Sequence, residues 1–193
     1  MRIFKLLGNV RLPHHKKTAG MAAVTMPPPE EVLIPMAQHI GAPSTPVVKV
    51  GDEVRVGQKI GESSSFVSTE IYASVSGKVV KIEDYTMSNG KSVPSVRIES
   101  DGLMTPDDSI APPTVESLSD LLSAVKASGL VGLGGAGFPT HVKLAALENG
   151  KIDHVIVNAA ECEPYVTSDT RTMLDNADLI EEGIDLLRRF SAS

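Results

Sequence analysis

The sequence predicts an α+β protein of several domains, in which a small β barrel or sandwich precedes an α/β segment. Two observations predict this division. Between residues 47 and 100, apolar and polar residues alternate in short runs separated by glycine-containing turns, which is typical of short strands. From residue 116 onward, apolar residues instead recur at spacings of three and four, which favours helices.

The 193 residues are enough for one large or two small domains. Composition divides them into four segments. We expect an extended, proline-rich arm at 1–46, a β domain at 47–100, a Pro/Asp/Ser linker at 101–115 and an α/β segment at 116–193. Within the arm, the apolar run Val32–Met36 is expected to pack against the rest of the protein.

The strands of the β domain follow from the alternation of apolar side chains. They are predicted at 47–50, within 54–60, within 71–75, at 78–82 and at 93–98. The turn between the last two strands is predicted at Ser88–Lys91, because Asn-Gly is a strong turn signal.

The first helices of the α/β segment have recognisable ends. One helix is expected to begin after Ser117 as its N-cap and to stop at Gly129. A second is expected to start at Pro139, which suits a first helical turn, and to run to about Glu148.

The remaining elements are one strand and a longer helical region. His154–Val157 is predicted as a short buried strand. Further helix is predicted from Ser168 or Asp169, with a break near Asn176. Since a single strand cannot form a sheet, either further strands lie in the preceding segments or the sequence is a fragment of a longer polypeptide, and we expect the fragment.

Composition excludes several functions. The net charge of −6, the absence of Trp and the few aromatic residues argue against nucleic-acid binding. No apolar run reaches the ~18–20 residues that span a bilayer, and no signal peptide is predicted. Cys162 is the only cysteine, so the sequence is expected to be cytosolic and unable to hold an iron–sulfur cluster by itself. No metal site is predicted.

A glycine-rich loop, Gly132–Pro139, is the first candidate binding element. Gly132, Gly134 and Gly137 match the spacing G-x-G-x-x-G. A helix rather than a strand precedes the loop, so an ordinary dinucleotide-binding fold is excluded. Glycines still let backbone N–H groups approach an anion, and Lys143 can add a charge to a phosphate. The alternative is a tight turn between two helices.

A second loop, Asn158–Pro164, carries two acids. Glu161 and Glu163 share one face if this segment is extended, and they repel each other unless hydrogen-bond donors are present. Ribose or ribityl hydroxyl groups are suitable donors. The alternative is a pair of solvated loop acids. Cys162, which lies between them, is expected to fill a small space.

The β domain resembles the biotinyl/lipoyl-type barrel-sandwich hybrid in the segments 50–60 and 73–79. In that family a lysine carries the prosthetic group, and the matching position, eleven residues before Gly77, is Phe66. No lysine lies between Lys59 and Lys78. Amide attachment of lipoate or biotin requires an amine, so we expect no such modification here and a structural or docking role instead.

Together, the two loops and the block Gln38–Pro43 resemble the RnfC-type subunit of the Rnf electron transport complex. More distantly they resemble the flavin-binding NADH subunit of respiratory complex I. The resemblance covers nearly the whole chain. It implies a peripheral subunit at the cytoplasmic face of the membrane, associated with the other subunits of an ion-translocating complex. Such a subunit binds FMN, oxidises NADH and passes electrons to iron–sulfur clusters.

The resemblance also assigns residues. Those implied to bind the cofactor FMN are Gly132, Gly134, Gly135, Gly137, Lys143, Asn158, Glu161 and Glu163. Glu163 is implied to lie nearer the nicotinamide of NADH and is the candidate catalytic residue. The sequence departs from the family at Gly8–Pro13, where Gly-Gly-hydrophobic-His-Pro-Pro is usual. It also has Ala160 where the complex I subunit has Asp.

The [4Fe–4S] clusters belong to a C-terminal, cysteine-rich region that this sequence lacks, so by itself the fragment is expected to be inactive. Two alternative functions remain. One is a non-catalytic docking or assembly module of the same complex. The other is a related flavoprotein reductase of the cobalamin type.

Overall fold

The computed structural model describes residues 13, 15–133, 135–150, 152 and 154–191, without the side chain of Asn149. Gly134 and residues 8–12, which figure in the sequence predictions, lie outside this description. The chain forms two compact units. The first is Met26–Lys151, and the second combines Met1–Thr25 with Ile152–Ser193.

Among the described residues, the first unit has seven strands and two α-helices, followed by a 3₁₀ helix, and the second unit has two further α-helices. The strands are β1 (Glu31–Pro35), β2 (Thr45–Pro46), β3 (Glu53–Val54), β4 (Lys59–Glu62), β5 (Ile71–Tyr72), β6 (Gly77–Thr86) and β7 (Ser92–Ser100). The helices are α1 (Leu118–Ala127), α2 (Thr140–Leu144), the 3₁₀ helix (Ala145–Asn149), α3 (Ser168–Asp175) and α4 (Ala177–Ser191).

Two antiparallel sheets form the β domain. The larger has the order β1-β7-β6-β3, and the smaller has the order β2-β4-β5. The β6–β7 hairpin is the longest pairing and extends from Gly77↔Ser100 to Thr86↔Ser92. Its connection contains the turn predicted at Ser88–Lys91, where Gly90 adopts a φ of +79°.

The core lies between the two sheets and is entirely aliphatic or methionine. Its buried members are Ile34, Met36, Val48, Val54, Ile60, Ile71, Ala73, Val75, Val79, Val96 and Ile98. Ile34 comes from β1, so the apolar run Val32–Met36 packs as predicted and contributes a strand to the larger sheet. The alternating pattern read from 54 to 98 therefore identified the inward-facing positions.

The strand predicted at 47–50 is wrong, since the pairing residues are Thr45 and Pro46. Val47 still donates its N–H to the Ile60 carbonyl at 2.9 Å. Beyond it the backbone turns, because the Lys49 N–H binds the Asp52 carboxylate and the Asp52 N–H binds the Lys49 carbonyl. These turn bonds occupy the backbone N–H and carbonyl of Lys49, which a longer strand would need for pairing.

Helix α1 has the predicted ends. The Ser117 hydroxyl accepts from the Asp120 N–H at 3.1 Å, and the Asp120 carboxylate accepts from the Ser117 N–H at 2.9 Å, which together form a capping box. Gly129 follows the helix with a φ of +73°. The helix predicted from Pro139 to Glu148 is shorter than expected, since α2 ends at Leu144 and a 3₁₀ helix follows.

In the second unit, α3 and α4 are separated at Asn176, as predicted. The strand predicted at His154–Val157 is wrong. These residues are irregular, and Ile156 is 87% exposed. Within the described ranges no strand pairs with them, and an apolar run without a pairing partner cannot satisfy its backbone groups as a strand. The described part of 116–193 is therefore helical and irregular.

The buried face of the β6–β7 hairpin yields a stability prediction. Ile98 is fully buried, so Ile98→Ala should lower the free energy of unfolding by about 2–5 kcal/mol through lost burial and a cavity. Ile82, on the paired strand, is 36% exposed, and Ile82→Ala should cost less than about 1 kcal/mol. Urea unfolding measures both, and equal losses would contradict this assignment of the core.

Candidate functional site

The glycine loop is closed at its neck by two backbone hydrogen bonds. Gly132 donates its N–H to the Phe138 carbonyl at 2.9 Å, and Thr140 donates to the Leu130 carbonyl at 3.0 Å. Val131 and Pro139 form a β-bridge between these bonds. The chain from Gly132 to Phe138 is thus a loop with fixed ends, rather than an open connection between helices.

The tip of this loop presents unused backbone donors. Among the described residues, no hydrogen-bond acceptor is found for the N–H groups of Gly135, Ala136 and Gly137. Gly135 has a φ of +146°, and a side chain built there would meet no atom within 4 Å. Exposed N–H groups of this kind are what an anion binds.

Lys143 supplies a positive charge next to the loop. Its ammonium lies so close to Gly132 that a Cβ at that position would be 2.7 Å from Nζ. The same ammonium lies 6.0 Å from the centre of the Phe138 ring, at the outer limit of a cation–π contact. Gly132 thus borders the space that the flexible end of this lysine occupies.

The third glycine of the motif packs against the β domain. Gly137 accepts a hydrogen bond from the Ile40 N–H at 3.2 Å. A Cβ there would lie 3.0 Å from the Gln38 carbonyl oxygen, and its φ of +61° favours glycine. Gly137 thus fixes the loop to the block 38–40, which the sequence had singled out only by resemblance.

Tyr72 of β5 and Thr69, which lies just before that strand, bind the end of α1, just before the loop. The Thr69 hydroxyl donates to the Lys126 carbonyl at 2.9 Å, and the Tyr72 hydroxyl contacts the Ala127 carbonyl. The Lys126 carbonyl also accepts from the Gly129 N–H at 3.2 Å, so the β domain caps α1 together with the helix's own C-terminal turn. Burial, and then the hydrogen bond to Glu70, raise the pKa of Tyr72 well above its ordinary value, so the phenol stays protonated and able to donate.

His141 is a further anchor that sequence reasoning missed. Its side chain is 4% exposed, and its Nε2 lies 3.0 Å from the carbonyl oxygen of Phe66. Because a carbonyl only accepts, Nε2 carries the proton. No partner for its buried Nδ1 is found in the part of the chain described. The Phe66 ring meets the imidazole edge-on at 6.0 Å. These partners are 75 residues apart, and no local signal in the sequence links them.

An open cleft of about 650 Å³ separates the loop from the β domain. Its walls combine glycine-loop backbone with polar side chains of the β domain, including His39, Glu70, Tyr72 and Asn89. The Thr69 N–H donates to His39 Nε2 at 3.3 Å, so this imidazole holds the rim of the cleft. The cleft gives the loop donors access to a ligand of nucleotide size.

In the second unit, Glu161 has hydrogen-bond donors of its own. Its carboxylate accepts from the N–H groups of Asp169 and Thr170 at 3.2 and 3.1 Å, and from the hydroxyls of Ser168 and Thr170. It therefore caps α3. Partial burial raises the pKa of Glu161, but these hydrogen bonds outweigh burial and leave that pKa below its ordinary value.

The other residues of the second loop are more exposed. The Asn158 side-chain oxygen accepts from the Ala160 N–H at 3.0 Å and forms a local turn. Cys162 is exposed, so the expectation that it fills a small space is wrong. Glu163 is exposed too, and its carboxylate makes no hydrogen bond with another described residue.

Two family models match the chain. The model described as the RnfC barrel sandwich hybrid domain matches residues 4–103, and the model described as the Nuo51 FMN-binding domain matches residues 125–192.

The chain belongs to the RnfC family. The predicted order of a barrel-sandwich hybrid followed by part of an FMN-binding domain of the complex I type is therefore confirmed.

Curated RnfC relatives are similar over most of this chain. A relative from Acetobacterium woodii, which belongs to a Na⁺-translocating ferredoxin:NAD⁺ oxidoreductase complex, is 48% identical over 93% of the chain. One from the proton-translocating complex of Clostridium ljungdahlii is 45% identical over 90%. One from the ion-translocating oxidoreductase complex of Pseudomonas aeruginosa is 40% identical over 93%. The chain spans 41, 39 and 24% of these relatives.

The RnfC relatives thus belong to multisubunit oxidoreductase complexes. None of the helices in the described ranges combines the length and apolar character that a membrane crossing requires. Within the FMN-domain match, four candidate residues lie in or beside the glycine loop of the first unit, namely Gly132, Gly135, Gly137 and Lys143. The other three, Asn158, Glu161 and Glu163, lie in one loop of the second unit.

The capping role of Glu161 predicts a pH-dependent stability. Because its folded pKa is lowered, its stabilising effect is present at neutral pH and is lost as pH falls below about 4.3 and through the folded value. Glu161→Gln should lower the urea midpoint at pH 7, and the difference from wild type should shrink on acidification.

Glu163→Gln is the matched control, since its carboxylate binds no described residue. A series of urea titrations from pH 7 downward compares the variants. A Glu161→Gln defect that persists unchanged at low pH would contradict the electrostatic cap.

Proposed function

We propose that this chain is the FMN-binding part of an RnfC subunit, which transfers electrons between NAD(H) and the iron–sulfur clusters of an ion-translocating complex. One observation carries the proposal. The loop Gly132–Phe138, inside the FMN-domain match, has a closed neck and the Lys143 ammonium beside it, and no described residue accepts from the N–H groups of Gly135, Ala136 and Gly137 at its tip.

These residues fit the phosphate end of FMN. A dianionic phosphate needs several N–H donors and a neighbouring positive charge, and the loop offers both in open space. The start of α2 adds little, because the Thr140 N–H is already bonded and the helix has five residues. Bound FMN would supply the conversion between two-electron nicotinamide chemistry and one-electron cluster chemistry.

In the second loop we assign different roles to the two acids. Glu161 orders the loop by capping α3, so most of its acceptor capacity is used. Glu163 keeps an exposed carboxylate, which is able to accept hydrogen bonds from the hydroxyls or amide of a nicotinamide nucleotide. Glu163 is therefore the residue that we assign to NADH, and Asn158 shapes the loop entry.

We assign the direction of electron flow from the complex to which the relatives belong, because the loop Asn158–Pro164 does not determine it. The names of two relatives specify ferredoxin:NAD⁺ oxidoreductase, in which NAD⁺ is the acceptor. Reduction of flavin by NADH is the reverse of the same exchange and is the easier step to assay. The [4Fe–4S] clusters are assigned to the part of the subunit outside this sequence.

We further propose that the subunit is peripheral at the cytoplasmic face of the membrane and that other subunits of the complex are its partners. The β domain supports a docking role rather than a carrier role. Phe66 occupies the position of the carrier lysine, and its carbonyl is bound by His141. Neither lipoyl nor biotinyl attachment is part of the proposal.

The phosphate contact predicts a ligand-specific loss. In the complete subunit, Lys143→Met should raise the dissociation constant for FMN about tenfold, which corresponds to ~1.4 kcal/mol. Riboflavin lacks the phosphate, so its affinity should not change. Flavin fluorescence titration measures both, and Lys49→Met, an exposed lysine on the β domain, is the control. Equal weakening of both flavins would contradict a phosphate contact by Lys143.

The assignment of Glu163 predicts a kinetic loss without cofactor loss. In the complete subunit, Glu163→Gln should slow anaerobic bleaching of bound flavin by NADH about tenfold, because one charged acceptor for the nucleotide is removed. Its FMN content should equal that of wild type. Glu182→Gln, an exposed acid on α4, is the control. Unaltered bleaching in Glu163→Gln would show that this acid does not act on NADH.

A further inference from the structure

The loop that carries Glu163 contains a strained turn immediately after that residue. Tyr165 has a φ of +74°, and the Val166 N–H donates to the Pro164 carbonyl at 3.0 Å. A bond from residue i+2 to residue i around a central residue with positive φ defines the rarer, strained γ-turn. An aromatic residue adopts this conformation only where surrounding contacts hold it.

The N-terminal arm segment, defined here as residues 15–19, supplies those contacts. Lys16 Nζ donates to the Val166 carbonyl at 2.8 Å and to the Glu163 carbonyl at 3.4 Å. It thereby joins the two ends of the strained turn. The His15 ring stacks on the Tyr165 ring, with 5.8 Å between centroids and 17° between planes. The arm segment and the loop belong to the same compact unit.

The same segment is held in register by further bonds beyond the turn. The hydroxyls of Thr18 and Thr167 lie 2.7 Å apart, and Thr167 is buried. Arg171, which forms a two-pronged ion pair with Asp175, also reaches the Ala19 carbonyl at 3.4 Å. The arm segment therefore follows the loop from Glu163 into α3, and Lys16 is not an isolated contact.

Lys16 suits this position because of its donors. An ammonium carries three N–H groups and no acceptor, so one lysine can bind two carbonyls and retain a donor. Charge-assisted bonds are stronger than neutral ones. Neighbouring Lys17 is exposed, and its side chain makes no hydrogen bond within the described residues. Of the adjacent residues Lys16 and Lys17, only Lys16 binds the loop within the described residues.

We propose that Lys16, supported by His15, is a positioning residue that holds the strained turn after Glu163 and so aims the Glu163 carboxylate at the nicotinamide nucleotide. This inference rests on the proposed function, since it assigns Lys16 a part in the NADH step. Lys16 acts through the backbone of the loop and touches neither cofactor nor substrate.

The test compares three variants of the complete, FMN-loaded subunit: Lys16→Met, Lys16→Arg and Lys17→Met. Hydrogen exchange of the peptide covering 163–171 reports on the loop directly. Lys16→Met should accelerate this exchange and raise the KM for NADH in anaerobic flavin reduction about tenfold, with kcat and FMN content little changed. Lys16→Arg, which retains several donors, should restore most of both properties, and Lys17→Met should behave as wild type.

Each other outcome counts against the inference in a distinct way. Unchanged exchange in Lys16→Met would show that the arm segment does not hold the loop. Faster exchange with an unchanged KM would reduce Lys16 to a structural contact without a role in the reaction. A wild-type subunit whose flavin is not reduced by NADH would remove the proposed function. Exchange would then still decide whether the arm segment holds the loop, but the role in the reaction would fall.

Discussion

The pairing of β6 with β7 is the constraint on which the first unit depends. This hairpin accepts β1 on one side and β3 on the other, and its inward face contributes Val79, Val96 and Ile98 to the core. The smaller sheet packs on that face, and Tyr72 of β5 and Thr69, just before that strand, bind the end of α1. The block 38–40, which follows β1, contacts Gly137 of the glycine loop. The loop is therefore held both by the β domain, through Gly137, and by α2, through the Thr140 N–H and the His141 side chain.

Local signals in the sequence identified the elements whose ends are fixed by neighbouring residues. Three such signals were the cap at Ser117, the stop at Gly129 and the Asn-Gly turn. They act over a few residues, so the sequence alone predicts them. The alternating apolar positions likewise gave the core. The failures concern pairing and context. His154–Val157 has the composition of a strand, but within the described residues it has no pairing partner. The change from α2 to a 3₁₀ helix was not predicted, because no residue in the sequence signals it.

In the candidate site, too, local sequence patterns located the residues, whereas their individual roles depend on contacts with distant parts of the chain. The glycine spacing drew attention to the loop beside Lys143. It explained every glycine in the same way, by close approach of the backbone to an anion. The structure separates them: Gly132 borders the flexible end of the lysine, Gly137 approaches the β domain, and Gly135 faces open space. The acids separate too, since Glu161 caps a helix and Glu163 remains exposed. The residue pattern alone treated them as a pair, because the donors of Glu161 lie in the next helix, eight and nine residues away, and only the family resemblance gave Glu163 a separate role.

The segment Ser65–Val67, which resemblance matches to the lysine-bearing turn of lipoyl-type domains, links several elements of the first unit. A carrier lysine must project from a turn that leaves its arm free to move. In this chain three consecutive carbonyls of that region accept hydrogen bonds, from Lys126, His141 and Ala42. The partners come from α1, α2 and the β domain, so the region joins the β domain to the helices that flank the glycine loop. Phe66 itself has no amine for amide attachment of a carrier group, and it is 64% exposed while its carbonyl takes part in this anchor.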